Sequence, residues 1–231
     1  MFLYEMHQHT AGCSACGRDD PRMTVRALKR DGFAGMVLTN HFYHGNTGII
    51  RRQPWEDFVR PYEEAYREAK EEGDRLDFDV LFGVEEGVGG GKEVLLYGIT
   101  PAFLYAHPEL RDGDGREGNL ERLSRLVRSA GGLVFQAHPF RVRDYIDDPS
   151  ETLPVECLDG METDNACNGE LENRRAALYA AEQELRPCAG SDAHTADFSG
   201  RYGIAVQQRL KTEAALAETL RAGEYTLYRG E

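Results

Sequence analysis

Long apolar segments are missing from this sequence. Although 41% of its 231 residues are hydrophobic, no apolar run approaches the roughly 18 residues that a membrane-spanning helix needs. The N-terminus also lacks the basic segment followed by an apolar one that marks a secretory signal peptide. We therefore expect a soluble, cytoplasmic protein with no membrane partner.

Positive charge is also scarce. The chain has 27 Lys and Arg residues against 40 Asp and Glu residues, which gives a net charge of −13. Because nucleic acids bind to cationic surfaces, we expect no nucleic-acid partner except a nucleotide as substrate. An acidic protein can still bind phosphate where metal ions reverse the local charge. The net charge therefore restricts which partners the surface binds, but it does not exclude phosphate chemistry at a metal site.

The cysteine count does not suggest a disulfide framework. There are five cysteines, an odd number, and no export signal precedes them. Disulfides belong mainly to oxidising compartments. We therefore interpret these cysteines as thiols.

What the sequence does contain is a regular alternation of strand-like and helix-like segments. Strands are predicted at residues 34–39, 79–85, 93–99, 133–138, 160–163, 187–191 and 225–228, and helices at 55–72, 120–129, 171–185 and 212–222. This alternation favours a parallel sheet covered by helices, either a closed barrel or an open doubly wound sheet. No internal repeat or linker divides the chain, so we expect one domain over residues 1–231.

Polar residues follow many of the apolar strand-like runs. They are His9, His41, Glu85, His138, Asp192 and His194. A barrel brings the carboxyl ends of all its strands to one face, whereas a doubly wound sheet gathers only the ends near its switch point. Because these residues are spread over nearly the whole chain, we predict an α/β fold of the TIM-like barrel type.

The first of these strand ends carries a pair of histidines. His7 and His9 are two residues apart on a predicted strand, so their side chains point to the same face. Neutral imidazole is a good ligand for zinc, iron and manganese. The pair alone is weak evidence, but similar residues at the other strand ends make a metal site the better interpretation.

Six motifs together resemble the PHP family, named after polymerase and histidinol phosphatase domains. They are His7-Gln8-His9-Thr10, Thr39-Asn40-His41, Gly83-Val84-Glu85, Gln136 to Phe140, Glu162 to Asn165, and Gly190 to His194. The resemblance covers nearly the whole chain. It implies a single-domain, distorted (β/α)7 TIM-like barrel with two or three divalent metal ions, which hydrolyses a phosphate ester through a metal-bridging hydroxide.

The resemblance also implies a set of metal ligands. His7, His9, Glu85 and Asp192 resemble the ligands of one metal, and Glu85 would bridge to a second metal that His138 also binds. His41 and His194 resemble ligands of a third metal.

The chain departs from the family pattern at two ligand positions. Cys16 stands where many members have Asp or His, and a thiolate there favours zinc over manganese or iron. Glu93 stands near the place where other members have a histidine. Either Glu93 is a carboxylate ligand or that ligand is absent, so two and three metals both remain open.

Catalytic roles are less well defined by the sequence. Asp192 or His194 is expected to give a proton to the leaving group, although metal ligation competes with that role. Arg141 and Arg143 follow His138 closely, and a guanidinium matches two phosphate oxygens, although an exposed loop arginine is the simpler alternative. His44 has no motif around it and is expected to be solvated.

Two other functions stay open. A metal centre of this kind could cleave a C–N bond, as amidohydrolase barrels do, and the chain could also be a non-catalytic PHP-like binding module. The favoured function is a metal-dependent phosphoesterase acting on a small phosphorylated molecule. The sequence defines neither that molecule nor the oligomeric state.

Overall fold

A mixed α/β fold is formed by residues 1–114 and 117–230, which are the residues that the computed structural model describes. The strands are β1 (Phe2–Gln8), β2 (Gly35–Leu38), β3 (Asp79–Phe82), β4 (Val84–Gly89), β5 (Lys92–Tyr97), β6 (Gly113–Asp114), β7 (Glu117–Gly118), β8 (Leu133–Gln136), β9 (Gly160–Asn165), β10 (Arg186–Gly190), β11 (Tyr202–Val206) and β12 (Tyr225–Arg229). The α-helices are α1 (Pro21–Arg30), α2 (Trp55–Leu76), α3 (Pro101–Ala106), α4 (Leu120–Ser129), α5 (Glu170–Glu182) and α6 (Glu213–Ala222).

The strands are arranged in two sheets. The first has the order β12-β11-β1-β2-β3, in which β1, β2 and β3 run parallel while β11 is antiparallel to both of its neighbours. The second has the order β10-β9-β8-β5-β4-β7-β6, in which β8, β9 and β10 run parallel and β5 is antiparallel to β8 and to β4. Both parallel and antiparallel pairs therefore contribute to each sheet.

The α/β class is confirmed, but the predicted distorted (β/α)7 TIM-like barrel is not: the strands form two sheets of mixed direction and not a closed barrel. The two sheets meet where β3 leads through Gly83 into β4, and isolated parallel bridges join Gln8 to Ala193 and His41 to Glu85. A Cβ at Gly83 would lie 2.7 Å from the carbonyl oxygen of Leu96, so glycine allows the close passage of the chain from one sheet to the other. The predicted strand at 79–85 is consequently two strands.

Local sequence signals set the ends of several helices. Asp20 caps α1 by accepting hydrogen bonds from two backbone N–H groups, and Pro21 occupies its first turn. Thr212 caps α6 by accepting one hydrogen bond, from the backbone N–H of Ala215, and Gly223 ends that helix with φ 71°. Asp and Thr are preferred N-caps and glycine adopts the left-handed C-terminal conformation most readily.

Apolar clusters hold the strands that carry the predicted site residues. Tyr4 and Met6 of β1 are fully buried and pack in one cluster with residues of β2, β3, β5 and β8. Interiors packed in this way are rigid, so the ends of these strands have fixed positions. Among the described residues, no helix has the length and apolar character needed to cross a membrane.

Candidate metal centre

Strand β1 presents two histidines at its carboxyl end. His7 and His9 are both buried, and their Nε2 atoms are 3.1 Å apart. The two rings converge because side chains two residues apart on a strand face the same way. Two ring nitrogens at this distance need a shared proton or a cation between or beside them, since two lone pairs would otherwise repel each other.

Glu85 of β4 occupies the middle of the cluster. Its Oε1 lies 2.9 Å from Nε2 of His138 and 3.3 Å from Nε2 of His7. Its Oε2 lies 2.9 Å from Nδ1 of His41 and 3.3 Å from Nε2 of His9. One fully buried carboxylate therefore contacts four imidazoles, which come from three separate parts of the chain.

Glu93 of β5 lies beside Glu85. Its carboxylate oxygens are 3.1 Å from Nδ1 of His41 and 3.4 Å from Nε2 of His138. His41, Glu85 and Glu93 each offer a ligand atom within 4.8 Å of the others. The position of Glu93 therefore fits a carboxylate ligand.

A third group lies toward the opening of the site. His9, His41 and His194 each offer a nitrogen within 4.8 Å of the others. Cys16 lies beside this group: burial raises the pKa of its thiol, but hydrogen bonds with His194 and His41 outweigh burial and lower that pKa to about 6. A thiol with this pKa is largely thiolate at neutral pH, which is the form that binds metals.

Asp192 joins the cluster from the turn that follows β10. Its Oδ1 lies 3.2 Å from Nε2 of His9 and 3.5 Å from Nε2 of His7. Its Oδ2 accepts a hydrogen bond of 2.6 Å from Nη2 of Arg141. Asp192 has φ 53° and His138 has φ 29°, so both residues hold a left-handed backbone that costs free energy and is concentrated at functional sites.

These residues fit a group of divalent metal ions. Nδ1 of His41 and Oε2 of Glu85 are buried and, among the described residues, have no partner with good hydrogen-bond geometry. Buried polar atoms in folded proteins are almost always satisfied. Imidazole nitrogens, carboxylates and a thiolate are also the donors that zinc, iron and manganese accept. Cations bound in the cluster would therefore give these two unpaired atoms a partner.

The electrostatics of the cluster favour positive charge. Burial lowers the pKa of His7, but the charges of Glu85 and Glu162 overcome this and raise it well above its ordinary value. Burial likewise raises the pKa of Glu85, yet His7 and His41 hold it well below its usual range. Protons carry the compensating charge when no metal ion does, and metal binding would release them.

Glu162 of β9 ties the histidines to the fold. Its Oε1 lies 3.0 Å from Nδ1 of His7, while its Oε2 accepts hydrogen bonds from the backbone N–H of His138 at 2.8 Å and from Nδ2 of Asn165 at 2.9 Å. A carboxylate on the far ring nitrogen fixes the tautomer and the orientation of a metal-binding histidine. Its motif was visible in the sequence, but this role was not.

A cavity of about 590 Å³ opens over the cluster. It is lined by Cys16, His41, Glu93, His138, Arg141, Asp192 and His194, together with Arg51, Lys92, Tyr145 and His44. Arg141 is buried and binds Asn165 and Asn168 as well as Asp192, so it is not an exposed loop residue. Arg143 is exposed and contacts the carbonyl oxygens of Val142 and Cys167 instead.

His44 was expected to be solvated, and this expectation is wrong. The residue is only 4% exposed, and its Nδ1 lies 2.6 Å from Oε1 of Glu86. No signal in the surrounding sequence marks this contact, because it joins two segments that are 42 residues apart.

Comparisons with known proteins show a fold similar to that of PHP-like proteins. Residues 170–225 match the family model described as PHP-associated. A two-domain protein from Bacteroides vulgatus that contains a predicted PHP-like metal-dependent phosphoesterase has a TM-score of 0.70 and 18% identity, over 99% of this chain and 65% of that chain. The resemblance to the PHP family is thereby confirmed. A search of curated proteins gives no match.

Two further solved structures share the fold. An amidohydrolase from Chromobacterium violaceum with bound sulfate has a TM-score of 0.61 and 16% identity, over 98% of this chain and 97% of that chain. The lesion-specific endonuclease PfuEndoQ from Pyrococcus furiosus has a TM-score of 0.62 and 12% identity, over 98% of this chain and 57% of that chain. The chain thus spans about two thirds of the Bacteroides protein and just over half of the endonuclease, and at these identities the likeness is one of fold.

Proposed function

We propose that this chain, acting as one domain over residues 1–231, is a metal-dependent hydrolase that cleaves phosphate esters. The observation that carries the proposal is the position of Glu85, whose two oxygens lie within 3.3 Å of four imidazole nitrogens. A buried carboxylate between two groups of ligands is suited to bridging two cations. Centres with two metals are a recurring solution for displacement at phosphorus.

The residues that would hold the ions fall into three groups. His7, His9 and Asp192 would bind one ion, His138 and Glu93 a second, and His41, His194 and Cys16 a third, with Glu85 shared between the first two. Divalent ions held there would lower the pKa of bound water toward about 7 and neutralise the charge of the ester. Zinc, manganese and iron are all compatible with these donors, and the thiolate of Cys16 favours zinc.

Arg141 is proposed to orient the ester. Its guanidinium is held by Asp192, Asn165 and Asn168, so its charge has a fixed position in the wall of the cavity. A fixed guanidinium is a good partner for phosphate oxygens. Its ion pair with Asp192 would also keep that carboxylate turned toward His7 and His9.

Asp192 is a poor choice for the residue that protonates the leaving group. Burial raises the pKa of its carboxyl, but His7 and Arg141 outweigh burial and hold that pKa well below its usual range. A carboxylate of this kind keeps its charge and accepts hydrogen bonds. We therefore assign Asp192 to metal binding. His194, the other residue considered from the sequence, belongs to the third ligand group, where a bound cation would compete for its ring nitrogen.

The substrate is proposed to be a small phosphorylated molecule, because the cavity of about 590 Å³ suits a ligand of modest size. The net charge of −13 disfavours a long nucleic acid. Because one protein of the same fold is an endonuclease, the net charge alone does not exclude nucleic acid. Nucleic acid is therefore included among the substrates tested. The amidohydrolase of the same fold likewise keeps amide hydrolysis as the second candidate.

The test is hydrolysis of p-nitrophenyl phosphate before and after removal of metal. We expect turnover that falls by at least about 100-fold on chelation, since a bound cation contributes several kcal/mol to such a reaction, and that returns when zinc, manganese or iron is added. p-Nitroacetanilide and a DNA duplex with an abasic site serve as parallel substrates. Chelator-resistant turnover, or hydrolysis of the anilide alone, would contradict the proposal.

A further inference from the structure

A second pairing of histidine with carboxylate lies on the cavity wall, outside the proposed ligand groups. His44 and Glu86 are both buried, at 4% and 2% exposure. Nδ1 of His44 is 2.6 Å from Oε1 of Glu86, and the backbone N–H of His44 donates to the same carboxylate at 3.1 Å. Glu86 therefore fixes both the backbone and the ring of His44.

The fold brings this pair close to the proposed ligands. A Cβ at Gly45, the next residue, would lie 3.3 Å from Nδ1 of His41 and 3.4 Å from Oε1 of Glu93. The segment that carries His44 thus lies directly against Glu93 of the second ligand group and His41 of the third. His44 also lines the same cavity as His41, Glu93 and His138, which is where an ester would bind.

Two glycines make room for His44. A Cβ at Gly87 would lie 2.6 Å from the carbonyl oxygen of His44, and a Cβ at Gly118 would lie 3.3 Å from its Nδ1. Since Nδ1 is committed to Glu86, Nε2 is the nitrogen left to interact with a ligand. Among the residues whose side chains the structure describes, which leaves out 114–117, Nε2 of His44 makes no hydrogen bond.

We propose that His44 is a catalytic residue that donates a proton from Nε2 to the leaving oxygen of the ester, with Glu86 as its positioning residue. This inference rests on the proposed phosphoesterase function. As a hydroxide derived from water forms a new bond to phosphorus, the bond from phosphorus to the leaving oxygen breaks and its electron pair stays on that oxygen. The oxygen takes the Nε2 proton, and the neutral imidazole, still bound to Glu86, regains a proton from solvent.

A purely structural role for His44 can be distinguished from proton donation by the choice of substitution. Its contact with Glu86 also fastens the loop to β4, so a large truncation would disturb the fold. His44→Asn avoids this problem because the amide Nδ2 replaces ring Nδ1 as the donor to Glu86. The variant keeps the contact with Glu86 and removes only the proton donor.

The experiment compares two esters of similar shape, phenyl phosphate and p-nitrophenyl phosphate, with metal-loaded protein. Phenoxide is the poorer leaving group, since phenol has a pKa near 10, and it depends more on proton donation. We expect His44→Asn to lower kcat for phenyl phosphate by about 100-fold or more and kcat for p-nitrophenyl phosphate by less than about 10-fold. Metal content should not change.

Glu86→Gln, a second variant, should show the same selective loss for phenyl phosphate, which keeps the inference testable if His44→Asn folds poorly. His107→Asn, at a partly exposed histidine paired with Glu109, is the control and should hydrolyse both esters normally. Equal losses on the two esters, or no loss, would overturn the role of His44 while leaving the phosphoesterase function intact. A wild-type protein inactive on both esters would overturn both proposals.

Discussion

Glu85→Gln is expected to lower kcat/KM for p-nitrophenyl phosphate by at least about 1,000-fold, which corresponds to the several kcal/mol that bound cations supply to phosphoryl transfer. The substitution keeps the size of the side chain but removes the negative charge that lies between four imidazoles. An amide oxygen is a weak ligand, and its NH2 group cannot bind a cation. The measurement is steady-state kinetics combined with metal analysis of the same sample.

The matched control for this variant is Glu182→Gln, an identical substitution at an exposed position near the end of α5. It should bind metal and hydrolyse the ester like the wild type. If Glu85→Gln retained both its full metal content and its activity, Glu85 would not be a bridging ligand. The position of Glu85 between four imidazoles would then no longer support the proposed function.

Asp192→Asn is the second substitution with a large expected effect. It removes the carboxylate that contacts His7 and His9 on one side and Arg141 on the other. The charge of Arg141 then loses its buried carboxylate partner, and the affinity of the first ligand group for a cation falls. We expect kcat to fall by about 100-fold or more, in line with changes at residues that bind or orient a metal.

Kinetics and metal titration on Asp192→Asn should be compared with Asp197→Asn, because Asp197 is exposed and lies only five residues away. The control should behave like the wild type. A loss of activity that zinc or manganese at high concentration restores would support the assignment of Asp192 to metal binding. Unchanged metal affinity in Asp192→Asn would contradict it.

Most residues of the cluster could be found from the sequence because they lie in or just after an apolar run of strand length. His7, Glu85, His138 and Asp192 all lie in or just after short strands, and the structure brings them within a few ångströms of one another. The motif spacing is a local property, so one sequence is enough to recognise it. Glu93 was less certain, and its distances to His41 and His138 are what favour it as a ligand.

The arrangement of the sheets could not be predicted in the same way. Hydrophobic periodicity indicates a strand but not its direction. Strand β5 runs antiparallel to both of its neighbours. The chain reverses after β4 because Gly89, Gly90 and Gly91, all with positive φ, form a tight turn. The direction of β5 within the sheet also depends on pairing between strands that are distant in the sequence.

The supporting residues were missed for a related reason. Glu162 contacts His7 across 155 positions of sequence, and His44 is buried because Glu86, Gly87 and Gly118 surround it. Such contacts arise only when separate strands and loops pack together. The composition of a loop therefore predicted exposure for His44, whereas long-range packing makes it part of the cavity.

The central claim is that this cluster of side chains holds a centre of more than one metal ion. Its most direct test is the ratio of metal to protein, measured by elemental analysis of purified protein after loading with zinc, manganese or iron and removal of the excess. We predict two or three ions per chain, and fewer than about half that number in Glu85→Gln. A wild-type protein with less than one ion per chain would contradict the account and would favour a binding module without catalysis.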